Sequence, residues 1–136
     1  MGVGIIIRDH NGNFLSACRQ LLDEVTSPEI AEALAIRHAV TLTRDEDLDR
    51  IILVSDCLSV IQRIGSPHRD RSLVGVIMED VKTLATSLSS VSCRHVNRFC
   101  NNSAHSLARR AEPSGSSFYR FVIPEFIRDK LCIDVF

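Results

Sequence analysis

Hydrophobic positions repeat along this chain with two different periods, and the two periods alternate. Continuous or alternating apolar runs, which are typical of buried strands, occupy residues 2–8, 14–22, 51–55 and 91–96. Apolar residues spaced three or four positions apart predict helices at about residues 28–44, 58–64, 72–88 and 101–111. The order strand, strand, helix, strand, helix, helix, strand, helix predicts an α/β protein with a mixed sheet flanked by helices.

Turn and capping residues place several of these boundaries. Asn11-Gly12 predicts a tight hairpin turn, because both central positions of such a turn need positive φ. Ser27 is predicted to cap the first long helix, with Pro28 at its first position, where a missing N–H costs nothing. Near the end of the chain we expect one further helical turn at about residues 125–131. The apolar stripe of the third helix is predicted to consist of Leu73, Ile77, Val81, Leu84 and Leu88.

Two acidic residues lie at predicted buried positions, where an ionised side chain costs free energy. Glu32 shares a helical face with the apolar residues Ala35, Ile36 and Ala39. Asp56 directly follows the apolar run 51–55, which reads as a parallel strand covered on both faces. A carboxylate among apolar neighbours costs free energy unless it is paired, and ligands of open α/β sheets bind at the carboxyl ends of strands. The two positions therefore predict a divalent-metal site.

Composition narrows the class of protein. The chain of 136 residues is the size of one ordinary domain, and its 45% hydrophobic and 24% charged residues are normal for a globular protein. A formal net charge of −1 gives no overall basic field, so any nucleic-acid contact must be a local patch. No apolar run is long enough for a membrane span. Five widely spaced cysteines favour free thiols, so we expect an intracellular protein, cytoplasmic or nuclear.

Four stretches of sequence, in this order and spacing, resemble the ribonuclease H-like superfamily. They are Gly2–Gly12, Ala31–Ala35, Val54–Cys57, and Arg94–Arg98 followed by Asn101–Ala108. The greatest similarity is to the plant-type, reverse-transcriptase-like type 1 ribonuclease H domain. The resemblance implies a ribonuclease H-like mixed sheet, an antiparallel hairpin plus parallel strands, flanked by helices. The domain is expected to cover residues 1–112, with residues 113–136 as a tail that packs on it or extends it.

The resemblance also implies an activity and a set of site residues. It implies an RNA–DNA hybrid endoribonuclease that uses Mg²⁺, with Mn²⁺ as an alternative. Glu32 and Asp56 match two of the family's four metal-binding carboxylates. The strand that carries the family's first aspartate, and would precede Gly2, is missing, and His105 stands at the fourth position. Without that strand, we expect its two neighbours in the sheet either to pair directly or to leave the sheet open.

His95 and Arg98 are predicted near the same end of the sheet, and these two residues together with Asn101 are expected to contact nucleic acid. The alternative for the first two is an ordinary solvated strand exit. His105 is expected either to replace the missing fourth ligand or to be a helix-surface residue. If the site is too reduced to cut, the alternative function is a catalytically inactive module that binds nucleic acid weakly or a protein partner.

Each of these two acidic residues also has an alternative, structural role that involves no metal ion. Asp56 could cap the helix that follows it, which is a common role for aspartate. Glu32 could lie on the helix surface and pair with Arg37 or His38 one turn further on.

Overall fold

The computed structural model describes residues 2–8, 14–45, 50–66, 71–97, 117–119 and 131–135. The helices are α1 (Pro28–Asp45), α2 (Leu58–Gly65) and α3 (Leu73–Ala85). The strands are β1 (Gly2–Arg8), β2 (Phe14–Leu21), β3 (Arg50–Ser55), β4 (Ser90–His95), β5 (Ser117–Tyr119) and β6 (Leu131–Val135). The strands and helices predicted up to residue 96 are confirmed, with shifts of at most three residues at their ends. The predicted hairpin turn at 11–12 and helix at 101–111 lie outside the described residues.

The strands form one mixed sheet in the order β4-β3-β6-β1-β2-β5. β1 and β2 are antiparallel, as the hairpin pattern predicts, and β3 and β4 are parallel. The helices α1 and α3 pack against each other and cover one face of this sheet together with α2. The predicted α/β class is therefore confirmed.

The sequence analysis predicted that β1 and β3 would either pair directly or leave the sheet open between them, and both expectations are wrong. β6 lies between β1 and β3, antiparallel to the first and parallel to the second. Ile133 pairs with Ile7 on one side and with Leu53 on the other, and its side chain is fully buried in the core. The strands β1 and β3 therefore neither pair with each other nor leave a gap. Unpaired backbone groups inside a sheet are costly, and a strand from the end of the sequence supplies their partners.

The final segment also corrects a helix prediction. Leu131 begins strand β6, so the expected helical turn at 125–131 does not include it, and residues 125–130 lie outside the described part. A strand is favoured there because Leu131-Cys132-Ile133 forms ladder bonds to two neighbours, whereas a short helical turn would leave them unpaired.

Side chains from the helices and the central strands build the core. Ser27 caps α1, and its Oγ accepts a hydrogen bond from Ile30 N at 3.4 Å. Ser72 caps α3 in the same way through Gly75 N at 3.1 Å. The predicted stripe on α3 is wrong at Leu73, which is 61% exposed. The buried members of this helix are Val74, Gly75, Ile77, Met78 and Val81.

No helix within the described ranges is long and apolar enough to cross a membrane. Two of the five cysteines, Cys57 and Cys93, have described side chains, and both are free thiols.

Candidate metal and nucleic-acid site

Glu32 lies in the second turn of α1 and is only 3% exposed. Its helical face carries small apolar residues that pack closely on the sheet, so the carboxyl group is held against the end of β3. There Ser55 Oγ donates a hydrogen bond to Glu32 Oε1, and the Ser55 side chain is itself fully buried. The alternative pairing with Arg37 is wrong, because Arg37 forms a salt bridge of 3.1 Å with Asp80 on α3.

Asp56 follows β3 directly and is half-buried. It is not the capping residue of α2, since Cys57 occupies the N-cap position and its side chain forms no capping hydrogen bond. Cys57 N instead donates to Ser55 Oγ at 3.1 Å. The Ser55 hydroxyl therefore connects the buried carboxyl group of Glu32 to the start of α2. Asp56 lies between Ser55 and Cys57 in the sequence, so its backbone is held on both sides by this hydroxyl.

The two carboxyl groups affect each other electrostatically. Burial raises the pKa of Glu32 from 4.5 to about 8, the hydrogen bond from Ser55 opposes this shift, and the negative charge of Asp56 adds to it. At neutral pH the Glu32 carboxyl is therefore mostly protonated when no cation is nearby. A divalent cation between the two groups would offset both the burial cost and the repulsion. The oxygen donors present fit a hard ion such as Mg²⁺.

His95 lies next to the backbone of Asp56. It is the last residue of β4, it is exposed, and it is paired in register with Ser55. Its Nε2 lies 3.1 Å from the backbone oxygen of Asp56, and Val96 N donates to Ser55 O at 3.0 Å. These hydrogen bonds hold the carboxyl ends of β3 and β4 together. His95 is exposed to solvent beside Glu32 and Asp56, which we call the acidic pair.

The structure brings together only part of the predicted set. Glu32, Asp56 and His95 lie at one end of β3 and β4, whereas Arg98, Asn101 and His105 lie outside the described residues. Among the side chains that the structure describes, no group of three or more histidine, cysteine or acidic residues could hold a metal ion. The described site is therefore an acidic pair.

Two residues near this pair were missed by sequence reasoning. Ser55 could have been found from strand alternation, because it follows Ile51 and Leu53 at two-residue spacing and so faces α1. Asp134 on β6 is in register with Val54, two positions before Asp56 on the adjacent parallel strand. The apolar run that precedes Asp134 was its only signal in the sequence, and it resembles the run that precedes Asp56.

Comparisons with known proteins agree with this architecture. The family model described as reverse transcriptase-like matches residues 1–111. Ribonuclease H1 from the halophilic archaeon Halobacterium salinarum has a similar structure, with a TM-score of 0.73 and 22% identity over 81% of this chain and 83% of that one. No curated protein matches the sequence significantly.

A second solved structure is similar over nearly the same part of the chain. It is the N-terminal ribonuclease H domain of a Mycobacterium tuberculosis protein, solved as a fusion with maltose-binding protein. The TM-score is 0.59, with 14% identity over 80% of this chain and 90% of that one. At these identities the likeness concerns the fold, and the family match covers most of the sequence. This chain belongs to the reverse transcriptase-like family and has a ribonuclease H-like fold.

Proposed function

We propose that this chain binds RNA–DNA hybrids and is a weak, divalent-cation-dependent hybrid endoribonuclease with a reduced metal site. The observation that carries the proposal is the acidic pair: a buried Glu32 carboxyl, hydrogen-bonded to Ser55, beside Asp56 at the carboxyl end of β3. Strand ends of this kind are where α/β sheets bind ligands. The family match and the fold support the choice of nucleic acid as the ligand.

Glu32 and Asp56 would hold Mg²⁺, or Mn²⁺ in its place, and His105 would contribute the nitrogen donor that suits Mn²⁺ better. When bound, the ion supplies positive charge that polarises the phosphate and lowers the pKa of a coordinated water. The protein's own contribution is orientation. Ser55 fixes one carboxyl oxygen of Glu32, and the pairing of β3 with β4 fixes Asp56 relative to His95.

Recognition of the hybrid would depend on its shape and its 2′-hydroxyl groups rather than on its sequence. His95 is exposed at the same end of the sheet, and it is proposed to contact a phosphate. Arg98 and Asn101 follow it closely in the chain and are proposed as further phosphate contacts. The formal net charge of −1 means that such local contacts, and not an overall field, would hold the duplex.

A second candidate function is a module that binds nucleic acid, or a protein partner, without cutting. One observation favours it: within the described side chains, the site offers two carboxyl groups, and one of them is mostly neutral at pH 7. Two-metal hydrolysis needs ions about 3.5–4 Å apart that clamp the attacking and leaving oxygens. Two carboxyl groups carry too little charge to hold two such ions tightly.

Cleavage of an end-labelled RNA–DNA hybrid, with Mg²⁺ and then with Mn²⁺, distinguishes the two functions. We expect slow cleavage that is faster with Mn²⁺ and is lost in Asp56→Asn, a variant of nearly the same size. Binding to the same duplex is measured in parallel by fluorescence anisotropy in EDTA. Binding without cleavage would assign the second function. A folded protein that neither binds nor cuts the duplex would exclude the RNA–DNA hybrid as the ligand in both functions.

A further inference from the structure

A groove on the far face of the sheet has no role in the site described above. It has a volume of about 410 Å³ and lies along β3 and β4. Its lining residues are Arg50, Ile51, Ile52, Ser89, Ser90, Ser92 and Arg94. Since Ile51 and Leu53 face the helical core, strand alternation places Arg50 and Ile52 on the opposite face. The groove is therefore separated from Glu32 by the thickness of the sheet.

Both charged side chains that line this groove within the described part of the chain are arginines. Arg50 and Arg94 are both exposed, and no acidic residue is among the lining residues. Three other arginines of the described part, Arg37, Arg44 and Arg63, each form a salt bridge with an acidic side chain. Within the same described part, neither lining arginine forms one. Two guanidinium groups beside serine hydroxyls offer several hydrogen-bond donors to one ligand, which is chemistry that suits phosphate oxygens.

The spacing of the two arginines indicates an extended ligand. Arg50 pairs with Ser90, and Val54 pairs with Arg94, so the two guanidinium-bearing positions are separated by four residues along the strands. At about 3.3 Å per residue in a parallel strand, this is about 13 Å. This distance is longer than one phosphate group, so the two arginines can contact different phosphates of one extended strand.

The shape and lining of the groove restrict the ligand further. A volume of about 410 Å³ lies within the range for small-ligand pockets, about 300–1,000 Å³, and is too small to enclose a duplex. No aromatic side chain lines it, so bases have no surface on which to stack. Contacts would therefore be to the backbone, without preference for sequence.

We propose that the groove between Arg50 and Arg94 binds the phosphodiester backbone of single-stranded nucleic acid. This inference goes beyond the proposed function, because it concerns the opposite face of the sheet and needs neither a metal ion nor cleavage. A strand held there would be bound independently of a hybrid at the acidic pair.

The test is fluorescence anisotropy with a labelled oligothymidylate or oligouridylate about ten nucleotides long, in EDTA. Association constants are measured between about 50 and 200 mM salt for the wild type and for the Arg50→Ala/Arg94→Ala double variant. For single strands the slope of log K against log salt is about 0.7 per phosphate contact, so losing two contacts should reduce it by about 1.4. Arg37→Ala is the matched control, since it removes an exposed arginine that is already paired with Asp80.

An unchanged slope in the double variant, an equal loss in Arg37→Ala, or no binding by the wild type at low salt would overturn the proposal. Competition by inorganic phosphate gives a further check. If inorganic phosphate displaces the labelled oligonucleotide as well as unlabelled oligonucleotide does at the same concentration of phosphate groups, the groove is a site for free anions and the proposal is overturned. A blunt hybrid duplex serves as the second arm. The double variant should bind and cut that duplex as the wild type does, so failure of this inference can be distinguished from failure of the proposed function.

Discussion

Replacing Glu32 by glutamine should make the metal-free protein more stable at alkaline pH and change little at acidic pH. The amide has nearly the same size as the carboxyl group and can still accept the hydrogen bond from Ser55, but it cannot ionise. In the wild type, burial holds the pKa of Glu32 at about 8, against 4.5 for an unperturbed carboxyl. Between these two values the folded state binds more protons than the unfolded state, so wild-type stability falls as pH rises.

The size of the effect follows from the same shift. Each tenfold change in proton affinity is worth about 1.4 kcal/mol, so the full difference is about 5 kcal/mol and is reached above the folded-state pKa. It is an upper limit, because the folded protein can relax and admit water around an ionised Glu32. The advantage of Glu32→Gln should therefore be near zero below about pH 4.5 and grow steadily to about pH 8.

Urea unfolding followed by circular dichroism measures this advantage directly. Both proteins are unfolded in EDTA at several pH values, and the difference in free energy of unfolding is plotted against pH. Glu79→Gln is the control, because Glu79 forms a surface salt bridge with Lys82 whose loss should change stability by less than about 1 kcal/mol. A flat line for Glu32→Gln would refute the claim that this carboxyl is buried and neutral. Adding Mg²⁺ at pH 8 should stabilise the wild type and not the glutamine variant.

Three further substitutions, and a fourth that serves as a control, test other parts of the structure. Ile133→Ala should lower the free energy of unfolding by about 2–5 kcal/mol, whereas Leu73→Ala, at an exposed position, should change it by less than about 0.5 kcal/mol; equal values in urea titrations would contradict the central placement of β6. Ser55→Ala should cost about 1–3 kcal/mol, because it removes the hydrogen-bond partner of a buried carboxyl, and should move the pH dependence of stability to still higher pH. Ser72→Ala should cost about 1 kcal/mol in thermal or urea unfolding, since Gly75 N loses its capping acceptor.

The placement of β6 also bears on the site. β3 pairs with β6 on one side and with β4 on the other, and Ser55 ends this strand, with Asp56 directly after it. Loosening β6 removes half of the ladder that holds β3. Variants at Ile133 should therefore be checked for loss of hybrid binding as well as for stability.

Much of the architecture could be predicted because it depends on local patterns. The alternation of apolar residues specified β1 and β3, and Ser27-Pro28 specified where α1 begins. Local patterns also placed Glu32 on an apolar helical face and Asp56 at a strand end, so the sequence alone predicted these two residues as a site. Leu73 was misassigned: it stands at the first position of α3 and is exposed, whereas the next residue, Val74, is buried.

What the sequence by itself determined is the set of elements with their buried faces, since periods of 2 and 3.6 residues act over a few neighbouring positions. Only the tertiary structure decided which elements meet. Ser55 reaches Glu32 across 23 residues of sequence, and β6 enters the middle of the sheet from the far end of the chain. The physical reason is that ladder bonds and buried carboxyl groups need partners wherever these lie in space, and a local pattern shows that a partner is needed without showing which residue supplies it.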